Sequence, residues 1–211
     1  MLVIGLTGSI GMGKSTIAAR FRQLGIGVCD ADAEVHKLYE GKAVPAIEAA
    51  FPGTTHRLPG GGGEVDRAAL ARALMTDTAG FKILERIVHP MVFQAEKVLL
   101  REAKAAGAEM AVLEIPLLFE GGGEKRVDVT VVVSAPAEVQ RQRVLAREGM
   151  TAAKLAAILA RQLGDAEQRR RADFIVDTSG SLETTAGQVA DIVSQLRGRH
   201  GSAFERHWRC T

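Results

Sequence analysis

An unbroken apolar run, Leu2-Val3-Ile4-Gly5-Leu6, opens the chain. It lacks the alternation of a half-exposed strand, so it predicts a strand buried on both faces of a parallel sheet. After a glycine-rich turn, Ile17, Ala18, Phe21 and Leu24 recur at helical spacing within Ser15–Leu24, and Ile26–Cys29 is a second short strand. That strand ends at Asp30-Ala31-Asp32, where a helix begins, so the opening is a strand, loop, helix, strand unit. From Glu34 to Ala106 the pattern predicts no strand. Helical periodicity covers Val65–Met75 and Ala79–Ala106, a break is expected at Pro90, and Gly60–Gly63 is expected to be a mobile loop. Sheet signals return at Met110–Ile115, Val127–Val133 and Asp173–Asp177. Helices are expected over Ala137–Arg147, Ala152–Leu163 and Leu182–Leu196, and the chain after Gly198 reads as poorly ordered.

Composition narrows this. With 46% apolar and 25% charged residues in 211, the chain has enough apolar surface for a core, which excludes wholesale disorder. A net charge of +2 argues against a strongly basic nucleic-acid binder. The longest apolar runs fall far short of a bilayer span. The two cysteines, Cys29 and Cys210, stand near opposite ends and form no disulfide or metal-finger pattern. No signal-peptide pattern precedes Thr7-Gly8, and the chain reads as cytoplasmic and monomeric, with an oligomer left open.

The turn after the first strand carries the chemistry. Gly8-Ser9-Ile10-Gly11-Met12-Gly13-Lys14-Ser15 fits G-x-x-x-x-G-K-[ST], followed by Thr16. Glycines let backbone N–H groups turn inward around phosphate oxygens, and a helix N-terminus adds a favourable field. Lys14 would reach the β- and γ-phosphates of ATP, and the Ser15 hydroxyl would ligate Mg²⁺. The motif's place between an apolar strand and an amphipathic helix sets it apart from a chance glycine-rich turn. The chain has no Asn, so it has no N-K-x-D segment with which to read guanine. A small phosphate-loop fold with a helical insertion and a basic helical stretch suggests a nucleotide or nucleoside kinase.

Five segments then carry a closer likeness. Gly8–Thr16, Asp30-Ala31-Asp32, Val88-His89-Pro90, Pro116-Leu117-Leu118-Phe119-Glu120 after Ile115, and Arg143–Arg147 occur in the order of the dephospho-coenzyme A kinases, which the chain resembles from about Met1 to Gly180. The resemblance implies an α/β fold of P-loop NTPase type, three layers α/β/α around a parallel sheet, with a helical substrate-binding insertion and a helical lid. It places the nucleotide-binding core at 1–33, 108–136 and 172–200, the acceptor-binding insertion at 34–107, the lid at 137–171 and a mobile tail at 199–211. The implied reaction transfers the ATP γ-phosphate to the ribose 3′-hydroxyl of dephospho-CoA. Another small-metabolite kinase is the alternative within the enzymes. A nucleotide-dependent regulatory module that contacts nucleic acid is the alternative outside them, and the low aromatic content of 4% counts against it.

The residues divide accordingly. Asp32, after the second strand, suits either a helix N-cap or the carboxylate that accepts the attacking proton, and the resemblance favours the second. Asp30 reads as a cap or a ligand to a magnesium water. Glu114 reads equally as a structural carboxylate or as a holder of a magnesium water. Pro116, Leu117 and Glu120 resemble a segment near the acceptor, where Glu120 could instead cap locally. His89 reads as a structural or substrate-contacting side chain. Gly8, Gly11, Met12, Gly13, Lys14, Ser15 and Thr16 form the ATP cradle. Lys14, Arg143 and Arg147 are the catalytic cations, the two arginines belonging to the lid. Gln162 fits the lid pattern, and Asp66-Arg67 is a further family-like pair. The segment 141–171 holds eight Lys or Arg against three acids, a local net of +5, within which Arg169–Arg171 reads as a solvated face. The family commonly has an Asn near Thr178-Ser179-Gly180, so Thr178 or backbone groups inherit the adenine contact.

Overall fold

A computed structural model describes residues 1–76 and 78–209 of the chain. It divides into two compact units, Met1–Asp30 with Leu99–Thr211, and Ala31–Val98.

The first unit is built on five parallel strands, β1 (Leu2–Thr7), β2 (Gly27–Asp30), β5 (Met110–Glu114), β6 (Val129–Ser134) and β7 (Phe174–Asp177), in the order β2-β5-β1-β6-β7. Every residue of β1, β5 and β6 is buried, which is why their sequences run apolar without alternation. One face, carrying Leu2, Ile4, Leu6, Met110, Val112, Val129, Val131 and Val133, packs in a single core with α1 (Lys14–Gln23) and α9 (Leu182–Leu196). Ile17, Ala18 and Phe21 supply the stripe of α1, and Val189, Ile192, Val193 and Leu196 that of α9. Ser181 caps α9, accepting a hydrogen bond from the Thr184 N–H at 3.0 Å, which explains its sharp start.

The basic segment forms three short helices, α6 (Ala137–Leu145), α7 (Ala152–Leu159) and α8 (Asp165–Arg171). Two of these are shorter than the sequence pattern suggested. Pro136 opens α6, and Thr151 caps α7 by accepting from the Lys154 N–H at 3.2 Å. In α8 the guanidinium groups of Arg170 and Arg171 both bind Glu167, and together they hold its carboxyl down at about 2. Arg169 departs from the expected solvated face, because its Nη1 donates to Ser134 Oγ at 3.2 Å.

The second unit contains α2 (Ala31–Tyr39), α3 (Val44–Ala50), α4 (Arg67–Thr76) and most of α5 (Thr78–Ala105). Its core gathers Leu38, Ala43, Ile47, Phe51, Val65, Leu70, Leu74 and Val88. Two expectations fail here. A hairpin joins β3 (Thr55–Arg57) to β4 (Gly63–Val65), antiparallel. Each strand has three residues, too few to display a period of two, and the glycine run is the turn between them: Gly60, Gly61 and Gly62 take φ of 103, 93 and 92°, which only glycine adopts readily. Nor does the helix break at Pro90. α5 runs through it, forgoing the hydrogen bond Pro90 cannot give to the Arg86 carbonyl, because Ile83, Leu84, Ile87, Val88, Met91 and Val92 pack on both sides of the proline.

The end of the chain also differs from the expected mobile tail. Phe204–Trp208 forms a π-helical turn, and Trp208 is fully buried with its Nε1–H donating to the Arg126 carbonyl at 2.9 Å. Asp128 fastens the approach to it: Oδ1 accepts from the N–H groups of Ser202 and Ala203, and Oδ2 accepts from the Val3 N–H at the start of β1. Of the cysteines, Cys29 is buried in β2, and Cys210 lies outside the described residues. Trp208→Ala should remove about 3–5 kcal/mol of stability in urea unfolding, as loss of a buried indole requires; a loss under ~1 kcal/mol would mean the turn is not docked in solution.

Candidate active site

The central strand delivers the phosphate loop. β1 has β5 on one side and β6 on the other, and the chain leaves its carboxyl end as Gly8–Gly13 before entering α1 at Lys14. Ligands of open α/β sheets bind at this edge, where neighbouring connections diverge. Gly13 is the helix N-cap, with φ 96° and ψ 23°, and its carbonyl accepts from the N–H groups of Thr16 and Ile17. The Lys14 and Ser15 N–H groups precede any intrahelical acceptor, and no acidic residue stands in the first turn, so the helix end keeps its positive field. Gly11 has φ 78°, and a Cβ there would overlap the Val144 side chain of α6. Lys14 is half-buried; Ser15 and Thr16 are exposed at the mouth.

The loop is held from behind by three glutamines of the basic segment. Gln140 Nε2 donates to the Ile10 carbonyl at 2.8 Å, and Gln162 Oε1 accepts from the Ile10 N–H at 3.1 Å. Gln168, 2% exposed, donates to Ser9 Oγ and to the Leu163 carbonyl. Both peptide groups of Ile10 are therefore satisfied away from the cradle, as a buried loop requires. Met12 is buried, and its sulfur accepts from the Ala135 N–H.

Beside the loop lies a cleft of about 400 Å³ lined by Gly11, Gly13, Ser15, Thr16, Arg143, Arg147, Thr178, Gly180, Leu182 and Thr185. It brings both arginines together with the loop. Arg147 stands just beyond the end of α6, not on the helix itself. Thr178 is 6% exposed and already engaged: its hydroxyl donates to the Met12 carbonyl at 2.8 Å and accepts from Arg143 Nη1 at 2.9 Å. Next to it, Asp177 lies below the usual carboxylate range because Ser179 hydrogen-bonds it, burial opposing and the arginines 169 and 143 assisting.

Two carboxylates mark the opposite side of β1. Asp30 and Glu114 are register partners at the carboxyl ends of β2 and β5, and Glu114 in turn pairs Leu6; Glu114 is 6% exposed. Their carboxylates offer oxygen donors, the kind a hard divalent cation takes. Among the described residues, no group of three or more His, Cys, Asp and Glu is placed to hold a metal by itself. After β5, the Pro116 carbonyl accepts from Thr7 Oγ1 at 3.4 Å, Leu118 and Phe119 turn inward, and Leu117 stays 44% exposed. Glu120 does not cap locally: its Oε1 accepts from the distant Leu163 N–H at 2.5 Å.

In the second unit, Asp32 is exposed on the first turn of α2, two residues past β2, and His89 is exposed on α5. A cavity of about 500 Å³ is lined by Tyr39, Glu40, His56, Glu64, Val65, Asp66 and Arg67. Arg67 lies 5.8 Å over the Tyr39 ring and within hydrogen-bond reach of His36. Burial raises the Tyr39 phenol, against the opposing charge of Arg67. Asp66 caps α4, accepting from the N–H groups of Ala68 and Ala69, and pairs with His56 at 3.1 Å. These contacts, the Ala69 N–H first, hold its carboxyl below the ordinary aspartate value despite some desolvation.

A phosphate loop on the middle strand of an all-parallel sheet, with an arginine-lined cleft beside it, defines a P-loop phosphotransferase of the small-molecule kinase class. The sequence matches the family described as Dephospho-CoA kinase over residues 2–184, and the chain belongs to that family. A dephospho-CoA kinase of Rhodopseudomonas palustris strain HaA2 is 58% identical over 193 residues, 92% of this chain and 94% of that protein. A crystal structure from Thermus thermophilus superposes with TM-score 0.76 at 37% identity, covering 93% of this chain and 98% of that one. A dephospho-CoA kinase of Campylobacter jejuni shares the fold at TM-score 0.67 and 24% identity, over 92% and 96% of the two chains. Among the described residues no helix is long and apolar enough to cross a membrane.

Gly11→Ala should weaken ATP binding about ten- to hundredfold in a calorimetric titration, the cost of overpacking the loop against Val144; native affinity would show that the loop relaxes freely. Asp66→Ala should lower the melting temperature more than Asp66→Asn, since Asn also caps. Because the folded Asp66 lies below its unfolded value, that contribution is present above the ordinary aspartate range and lost as pH falls through the folded value, so the Ala deficit should shrink in acid.

Proposed function

We infer that the chain transfers the γ-phosphoryl group of ATP to the ribose 3′-hydroxyl of dephospho-CoA, giving CoA and ADP. Membership of the family supports the acceptor, and the observation that carries the phosphoryl chemistry is the loop itself, its N–H groups and Lys14 gathered at one end of α1 beside Arg143 and Arg147. Phosphoryl transfer asks a protein mainly to position the reactants and neutralise charge. The loop glycines and the first turn of α1 hold the β- and γ-phosphates, Lys14 spans them, and Ser15 and Thr16 close the cradle. Arg143 and Arg147 balance the charge that develops on the transferred group.

Mg²⁺ fits the oxygen donors: the Ser15 hydroxyl would hold it directly and Glu114, with Asp30 beside it, through water. When bound it would offset the charge of the phosphates. Asp32 accepts the proton of the attacking hydroxyl. The insertion, with His89 and the Asp66-Arg67 pair, and the segment Pro116, Leu117 and Glu120 serve the acceptor.

Purified protein with ATP, Mg²⁺ and dephospho-CoA should yield equal amounts of ADP and CoA; no turnover beside brisk phosphorylation of a nucleoside or nucleotide would overturn the acceptor. Asp32→Asn should reduce transfer by about a hundredfold or more while ATP affinity stays within about twofold, the loss expected on removing a general base. Unchanged turnover would move the base elsewhere.

A further inference from the structure

Thr178 sits where the phosphate loop, the end of β6 and α6 meet, and all its polar atoms are committed. Its N–H donates to the Ser134 carbonyl at 2.9 Å, and its hydroxyl proton goes to the Met12 carbonyl at 2.8 Å, with Ser134 O a distant second acceptor at 3.4 Å. The hydroxyl oxygen and the Thr178 carbonyl then accept from Nη1 and Nη2 of Arg143 at 2.9 and 2.6 Å. A planar guanidinium gripped at both Nη atoms by a single residue has one orientation. The Met12 carbonyl, meanwhile, belongs to the loop residue immediately before Gly13, the N-cap of α1.

A hydroxyl has a single proton, so one that gives it to a buried carbonyl has none left for a nucleotide base. The Thr178 hydroxyl therefore has no proton to offer adenine, and the geometry gives it another task. We propose that Thr178 is a positioning residue for ATP binding: its hydroxyl ties Arg143 to the Met12 carbonyl, fixing the guanidinium on the wall of the nucleotide cleft in register with the phosphate loop. Both residues line the same cleft of about 400 Å³, and a Cβ built on Gly13 would stand 3.6 Å from the Thr178 side chain. The bond from Arg143 is a charged donor to a neutral acceptor in a shielded place, where such bonds are strong. Removing the hydroxyl alone leaves the carbonyl to hold Nη2 and frees Nη1, so the guanidinium keeps its place and loses its angle.

The proposal rests on reading the loop as the ATP site. Its test is therefore an ATP titration without acceptor, which stays informative even if dephospho-CoA proves not to be the substrate. Thr178→Val keeps the shape and deletes the hydroxyl; the dissociation constant for ATP should rise about ten- to hundredfold, and Thr178→Ser should restore it to within about twofold. In an Arg143→Ala background the same Thr178→Val change should shift ATP affinity by less than about twofold, since the group it positions is gone. A shift of full size in that background, or an ATP constant for Thr178→Val within about twofold of the native one, would overturn the proposal. Thr178→Ala, measured alongside, replaces Thr178→Val if that variant does not fold, with the same expected rise and the same overturning results.

Discussion

The structure depends on the complete enclosure of β1. Both of its edges are paired, to β5 and β6, and all six of its residues are buried. A strand so placed has no freedom to slide, because a one-residue slip would exchange the side chains facing α1 and α9 for those facing the other way. The loop that leaves it therefore starts from a fixed point. Small movements of that point would spoil a cradle made of backbone N–H groups, which tolerate little displacement. Enclosure of the strand, more than any single contact in the loop, is what turns a glycine-rich turn into a binding site.

The second level of control comes from polar side chains that hold the loop itself. Gln140, Gln162 and Gln168 reach Ser9 and Ile10 from three different stretches of the basic segment. Gln140 and Gln162 satisfy the carbonyl and N–H of Ile10, and Gln168 donates to the Ser9 hydroxyl. Arg143 and Arg147 of the same stretch line the cleft, so one stretch of chain both holds the loop and sets cations beside it.

How much of this was legible in the sequence depended on the range of each interaction. The phosphate loop and its flanking strand and helix are local, and their residues stated them outright. α9 read correctly to the residue because its stripe and its Ser181 cap are both within its own span. The strands β3 and β4 were invisible because three residues carry no period. Pro90 misled because a local rule, that proline ends a helix, was outweighed by packing spread over residues 83–92. Gln162 fitted the lid pattern, but the buried Gln140 and Gln168 left no trace, since an amide in a basic, polar stretch looks solvated until the fold brings Ser9 and Ile10 against it. Thr178 and Arg143 are 35 positions apart, and Trp208 and Arg126 are 82 apart, so neither pairing was written in any neighbourhood of the chain.

The carboxylate of Asp128 has one further consequence. It joins Val3 to Ser202 and Ala203, segments far apart along the chain. β1 is made before β5 and β6, the strands that cover its edges, and its anchoring at Asp128 is shared with a segment made later still. The middle strand of the sheet is thus made before both of its neighbours, so the newborn chain carries an apolar strand unshielded until β5 and β6 have followed.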